Sequence, residues 1–168
     1  MKIIAAQPED ISRIMLIIEQ AKRIMRENGN QTQWINGYPS REVIETDIRN
    51  LHAFVCLENM EIAGYFCFIK GNDPDPNYKV IEGGAWLNNA PYGVIHRLAS
   101  SGTVKGIAKK AFDFAFSHIN NVKVDTNHNN IPMQNFLKNN GFTYCGVIYV
   151  TDGTPRDAFQ KTTSSYQA

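Results

Sequence analysis

Residues 92–108 read Tyr-Gly-Val-Ile-His-Arg-Leu-Ala-Ser-Ser-Gly-Thr-Val-Lys-Gly-Ile-Ala, and how they are read decides the fold. Tyr92 to Ala99 is a run of strand length and strand composition. Ser100-Ser101-Gly102-Thr103 is a loop of small residues, and from Val104 the apolar residues Ile107, Ala108, Ala111, Phe112, Ala115 and Phe116 recur at helical spacing. A strand, a small-residue loop and a helix leave backbone N–H groups unpaired at the positive end of a helix dipole, which suits a pyrophosphate. Lys105 can add a charge. Serine and glycine before a helix also serve simply as a cap and a turn, so these residues alone leave both readings open.

Upstream, the first five or six residues read as a strand, and Pro8, Glu9 and Asp10 open a helix with proline and two carboxylates where the dipole favours them. Ile11, Ile14, Met15, Ile18, Ala21 and Met25 form one apolar stripe that Asn28-Gly29 ends. Residues 30–39 lack either period and carry Trp34 and Tyr38. Ser40 can cap a second helix with Ile44, Ile48 and Leu51 on one face, and Ala53–Leu57 and Ile62–Ile69 predict a hairpin. The turn-rich residues 71–77 predict an exposed loop between strands. Downstream, Val122–Thr126 reads as a strand, and Asn130 caps a helix bearing Met133, Phe136 and Leu137 that Gly141 closes. Tyr144–Val150 and Asp157–Thr162 are strands joined around Asp152-Gly153, and the tail Thr162-Thr163-Ser164-Ser165 is expected to fray. The order β α α β β β α β α β β predicts a mixed α/β (α+β) domain.

The length of 168 residues predicts a single domain over 1–168. Seventeen Lys+Arg against sixteen Asp+Glu leave a net charge of +1 with no block of one sign, so no nucleic-acid partner is expected. Cys56, Cys67 and Cys145 are an odd number at wide spacings, which predicts neither a disulfide scaffold nor a metal site. Their strand contexts favour packing over a reactive thiol. The short apolar run at the N-terminus suits neither a leader nor a membrane span, so the expectation is a soluble, cytoplasmic protein, monomer or homodimer.

The motifs and their order resemble the GNAT superfamily of acyl-CoA-dependent N-acetyltransferases. That family's pyrophosphate pattern, Gln/Arg-x-x-Gly-x-Gly/Ala, aligns with Thr103-Val104-Lys105-Gly106-Ile107-Ala108; the Gly-x-Ala half matches, and Thr103 replaces the leading Gln/Arg. Asn130, Met133, Phe136, Lys138, Gly141 and Phe142 match a second pattern, and with residues 95–99 and 156–161 the resemblance spans essentially the whole chain. It implies a mixed, mostly antiparallel sheet with a V-shaped splay and about four flanking helices. It also implies acetyl-CoA as co-substrate, with the pantetheine arm along Leu98, Ala99 and Ser100, the phosphates on residues 103–108, and Asn130, Met133 and Phe136 alongside. The N–H of Leu98 would face the thioester oxygen and assist the developing oxyanion. The implied activity is direct acetyl transfer to a primary amine of a small molecule, peptide or protein. An acyl-CoA-binding module without turnover is the alternative.

A lysine-like amine has a reference pKa of about 10.4, so transfer near neutral pH needs a base. His96, Asp125 and Glu82 are the candidates. By strand parity His96 shares a face with Val94 and Leu98, although a packed core histidine is as good a reading. Asp125 also suits a structural hydrogen bond, Glu82 a solvated charge, and His128 a solvated turn. The family's proton-donating tyrosine, seven residues after the asparagine, is Leu137 here, and Tyr144 is the nearest tyrosine in sequence. A thiol of pKa about 8.5 is a fair leaving group without a strong acid, so the thiolate is expected to take its proton from water. Trp34, Tyr38 and Trp86 sit in or beside loops, either lining an acceptor pocket or plugging the core.

Overall fold

Eleven strands and helices follow one another in the order expected, in a computed structural model that describes residues 1–163. Ser164 and Ser165 of the tail lie outside the described residues. The strands are β1 (Lys2–Ala5), β2 (Ala53–Glu58), β3 (Glu61–Gly71), β4 (Tyr92–Ser100), β5 (Asn121–Thr126), β6 (Thr143–Tyr149) and β7 (Pro155–Thr162). The helices are α1 (Ile11–Glu27), α2 (Arg41–Arg49), α3 (Ile107–His118) and α4 (Ile131–Asn139). One sheet of order β1-β2-β3-β4-β5-β7-β6 contains them all, antiparallel except for the β4–β5 pair. That pair is short: β4 meets β5 only at Gly93–Val122 and Val94–Lys123. Beyond Val94 the two strands part and the sheet splays open.

Helices α3 and α4 cover one face of the sheet, burying Phe66, Ile95, Ala111, Phe112, Val124 and Phe159 together. The opposite face is covered in two halves. Helices α1 and α2 bury Ile14, Ile17, Ile18 and Ile44 against Val55, Tyr65 and Ala99, and each such side chain contributes about 1.5–3 kcal/mol. The β3–β4 connection, residues 72–91, covers the other half with Tyr78 and Trp86 over Tyr92, Val94, Ile148 and Ala158.

This connection is not the exposed loop that its turn-rich residues predict: Asp75 and Tyr78 are only 6 % and 2 % exposed. It is stitched down by Trp86 Nε1 donating to the Tyr78 carbonyl at 2.8 Å, by Leu87 N–H donating to Gln160 Oε1 at 2.8 Å, and by a two-way backbone bridge between Glu82 and Val147. It lies so close to β6 that a Cβ on Gly84 would stand 2.0 Å from the Cys145 carbonyl oxygen. Among the described residues, no helix is long and apolar enough to cross a membrane.

A β-bulge in β4 overturns the parity argument. Tyr65 pairs with Ala99 and Cys67 with His96, so Arg97 and Leu98 together oppose the single residue Phe66. Arg97 has a φ of 53°, a left-handed conformation that costs a residue with a side chain about 1–3 kcal/mol. The extra residue turns both His96 and Arg97 to the face away from α3 and α4, whereas Leu98 packs with the α3/α4 core. His96 therefore shares a face with Val94 but not with Leu98. The strain at Arg97 is held by Asp47 of α2, which accepts from Arg97 Nε at 2.8 Å and Nη2 at 2.6 Å and from the Tyr65 hydroxyl at 2.6 Å.

Candidate active site

The splay connects two unlike surfaces. On the α3/α4 face a cleft of about 250 Å³ is lined by Ala21, Ile24 and Met25 of α1, Leu98 and Ser100 of β4, Ile107 and Ala108 of α3, and Asn130, Pro132, Met133 and Phe136 around α4. Seven of the residues that the resemblance assigns to the acyl donor thus converge there: Leu98, Ser100, Ile107, Ala108, Asn130, Met133 and Phe136. Ala99, the alternate residue, instead packs under α1 at 1 % exposure.

Helix α3 starts at Ile107, three residues later than its apolar pattern suggests. Gly106, with φ of 86°, takes the left-handed conformation at the N-cap. Among the described residues no side chain caps this helix, whose first N–H groups lie beside the exposed Thr103, Lys105 and Gly106, with Val104 half-buried. An apolar cleft that ends at an uncapped helix N-terminus suits a long thioester arm carrying a pyrophosphate. Gly106→Ala is expected to cost about 1–2 kcal/mol in a denaturant titration, because an added Cβ disfavours φ near 86°.

On the opposite face stands a polar cluster. His96 Nε2 lies 2.9 Å from Asp75 Oδ2, and a ring nitrogen of His96 and one carboxylate oxygen each of Asp75 and Asp125 all fall within 4.8 Å of one another. The Tyr78 hydroxyl donates to Asp125 Oδ2 at 2.6 Å, Arg156 Nε lies 3.8 Å from Asp125 Oδ1, and the Tyr78 ring packs edge-on to the imidazole at 6.3 Å. Burial raises the Asp125 carboxyl, against His96, Tyr78 and Arg156, which favour its charge. Burial also acts to raise Asp75, but the hydrogen bond and charge of His96, the Asn77 N–H and Arg97 outweigh it and leave Asp75 below the usual carboxylate range. Burial drives the Tyr78 hydroxyl well above its ordinary value, so it stays protonated and donates.

At the wide end of the splay the α1–α2 connection meets the β5–α4 turn. Asn127 Nδ2 donates to Thr32 Oγ1 at 3.1 Å, and Asn130 Nδ2 to Gln33 Oε1 at 3.1 Å. Asn130 also caps α4 by accepting from Met133 N–H at 3.3 Å.

Of the other residues singled out in the sequence, Tyr38 and Trp86 border the bulge and the polar cluster, and the rest stand apart from them. Tyr144 packs against Phe159 on the α3/α4 face of the edge strand β6, beyond β5 and β7 from His96. The Glu82 carboxylate accepts from Tyr149 on that edge. Leu137 is fully buried in the α3/α4 core. Trp34 is 7 % exposed within the α1/α2 core, and Trp86 packs on Tyr78 with the Lys123 ammonium 4.5 Å from its ring centre. Tyr38 is 41 % exposed and accepts from Arg97 Nη1 at 2.9 Å. His128 pairs with Asp157 in an exposed turn. Burial pushes the Cys56 and Cys67 thiols up to about 11 and about 12, out of the reactive range.

Asp75, Tyr78 and Arg156 are site residues that sequence reasoning did not reach. An Asp-Pro-Asp-Pro run signals a turn, and nothing local says that the turn folds inward.

No protein-family model matches the sequence, and no curated protein sequence matches it. Solved structures do. An acetyltransferase of the GNAT family from Streptococcus agalactiae 2603 is 34 % identical with a TM-score of 0.85, over 97 % of this chain and 95 % of that one. An acetyltransferase of the GNAT family from Listeria monocytogenes 4b F2365 has 20 % identity and a TM-score of 0.68, over 96 % and 94 %. A ribosomal-protein-alanine N-acetyltransferase from Brucella melitensis has 13 % identity and a TM-score of 0.63, over 97 % and 100 %. The last two are alike in fold alone.

Proposed function

The chain belongs to the GNAT family of acetyltransferases, and from that premise we propose that it transfers an acetyl group from acetyl-CoA to a primary amine, within one domain over residues 1–168. The observation that carries this reading is the bulge at Arg97. It sets Leu98 in the apolar cleft and His96 in the polar cluster, on opposite faces of one strand at the mouth of the splay. Donor and amine then approach from opposite sides and meet at the gap, as direct transfer requires.

His96 takes one proton from the bound ammonium, directly or through one water. The neutral amine nitrogen attacks the thioester carbonyl carbon; the C–N bond forms, and the C–S bond breaks with its electron pair on sulfur. The second amine proton and the thiolate are matched through water, since Leu137 offers no donor and Tyr144 stands elsewhere. The imidazolium returns its proton to solvent. The α3 N-terminus and Lys105 hold the phosphates, and the backbone of β4 at Leu98 to Ser100 holds the arm.

Acetyl-CoA at about 100 times its Kd is expected to add about 2.7 kcal/mol, a rise in Tm of about 5–10 °C for a chain of this size. Free-thiol release with a panel of primary amines should then identify acceptors. A binding module without turnover is the second reading, favoured by Thr103 and Leu137 at the family's polar positions. Stabilisation without thiol release from any amine supports that module; no stabilisation overturns both.

A further inference from the structure

His96 is gripped from several elements. Asp75 and Tyr78 reach it from the β3–β4 connection and Asp125 faces it from β5, while Arg156 of β7 leans on Asp125 and Arg97 follows it on β4. Of these, Asp75 holds the direct contact, 2.9 Å from Nε2. Asp125 is already engaged by Tyr78 and Arg156.

Asp75 is itself fixed. Its Oδ1 accepts from Asn77 N–H at 2.9 Å, its own N–H donates to the Tyr92 hydroxyl at 3.3 Å, and its side chain is 8 % exposed. An ionised carboxylate only accepts hydrogen bonds, so a proton on the ring nitrogen 2.9 Å away is favoured over one on the other ring nitrogen. That leaves Nδ1 with the free lone pair.

Resting on the reading of His96 as the base, we propose that Asp75 is its positioning residue: the carboxylate holds the imidazole with Nε2 protonated and Nδ1 free, and stabilises the imidazolium that forms when Nδ1 takes a proton. The fold brings this carboxylate from a connection outside the sheet onto the acceptor side of β4. The same arrangement explains why Asp75 is buried at the start of a turn of three residues, Pro76 to Tyr78, whose last member braces Asp125.

The test is Asp75→Asn, whose amide can donate or accept at the same place and so no longer dictates which nitrogen is protonated. Long-range 1H–15N spectra of the histidine rings, assigned with His96→Gln, are expected to show one tautomer with Nε2 protonated in the parent chain. In Asp75→Asn they should show a changed or mixed tautomer. With the best amine of the panel, kcat should fall at least about tenfold at unchanged KM for acetyl-CoA, the acidic limb of the pH profile should move to lower pH, and Asp75→Glu should recover part of the rate. In a His96→Gln background Asp75→Asn should cost nothing further.

An unchanged tautomer and pH limb in Asp75→Asn overturns the proposal, even if activity falls, because only a structural role remains. So does a further loss in the His96→Gln background. Full activity in His96→Gln alone overturns the assignment of the base instead, which keeps the two failures apart.

Discussion

Replacing His96 by glutamine is expected to lower kcat by about 10²- to 10⁴-fold, the range that a positioned general base supplies, while leaving the affinity for acetyl-CoA within about twofold. The two effects separate because the bulge at Arg97 separates the surfaces. His96 looks away from the cleft that Leu98, Ile107 and Met133 line, so its loss is expected to remove the proposed proton transfer without touching that cleft. Glutamine keeps the size and a hydrogen-bonding end, so the Tyr78 ring and the Asp75 carboxylate stay occupied. The measurement is a pair of titrations, initial rate against amine and binding of acetyl-CoA. Equal losses in both would mean that the histidine supports the fold of β4 and not the chemistry.

Asp47→Ala is expected to destabilise the chain by about 3–5 kcal/mol in a denaturant titration, because it leaves the Arg97 guanidinium buried without its partner. The side chains of Arg97 and Asp47 are 13 % and 8 % exposed, and the Tyr65 hydroxyl loses its acceptor in the same step. Arg97 also carries the left-handed backbone of the bulge, so the ion pair holds a strained conformation in place. The double variant Asp47→Ala with Arg97→Met is expected to recover part of the loss, since it removes the stranded charge. Its activity is not expected to return, because without the pair nothing fixes the turn that aims His96. A double variant as unstable as the single one would place the cost in the Tyr65 hydrogen bond instead.

The contrast between legible and illegible features follows from the range of the forces. Helix α3 was readable because its apolar residues repeat within a dozen positions, and the end of α4 because Gly141 allows the Phe142 N–H to reach the Leu137 carbonyl and its own to reach Lys138. Both are local events. Even there the start of α3 slipped, since Val104 fits the helical pattern while Gly106 breaks the backbone behind it.

The bulge at Arg97 has no local mark. No glycine stands at the left-handed position, and the partner that stabilises it, Asp47, lies 50 residues earlier in the chain. Alternation counted straight through it puts His96 and Leu98 together when they stand apart. Asp75 escaped for the same reason. Its neighbours Pro74 and Pro76 predict a turn at the surface, whereas its burial is decided by Tyr92 and His96. The apolar cleft, built from a loop and two helix starts, could be read from sequence, and the polar cluster, built from long-range pairs, could not.

A structure determined with acetyl-CoA bound decides between the two surfaces as the place of reaction. The pantetheine arm is expected in the cleft between Leu98 and Met133, the phosphates at the N-terminus of α3, and the acetyl carbon at the mouth of the splay. His96 should lie across the gap within reach of an attacking amine through at most one water. An arm bound outside this cleft, or an acetyl group walled off from His96 by β4, would contradict it.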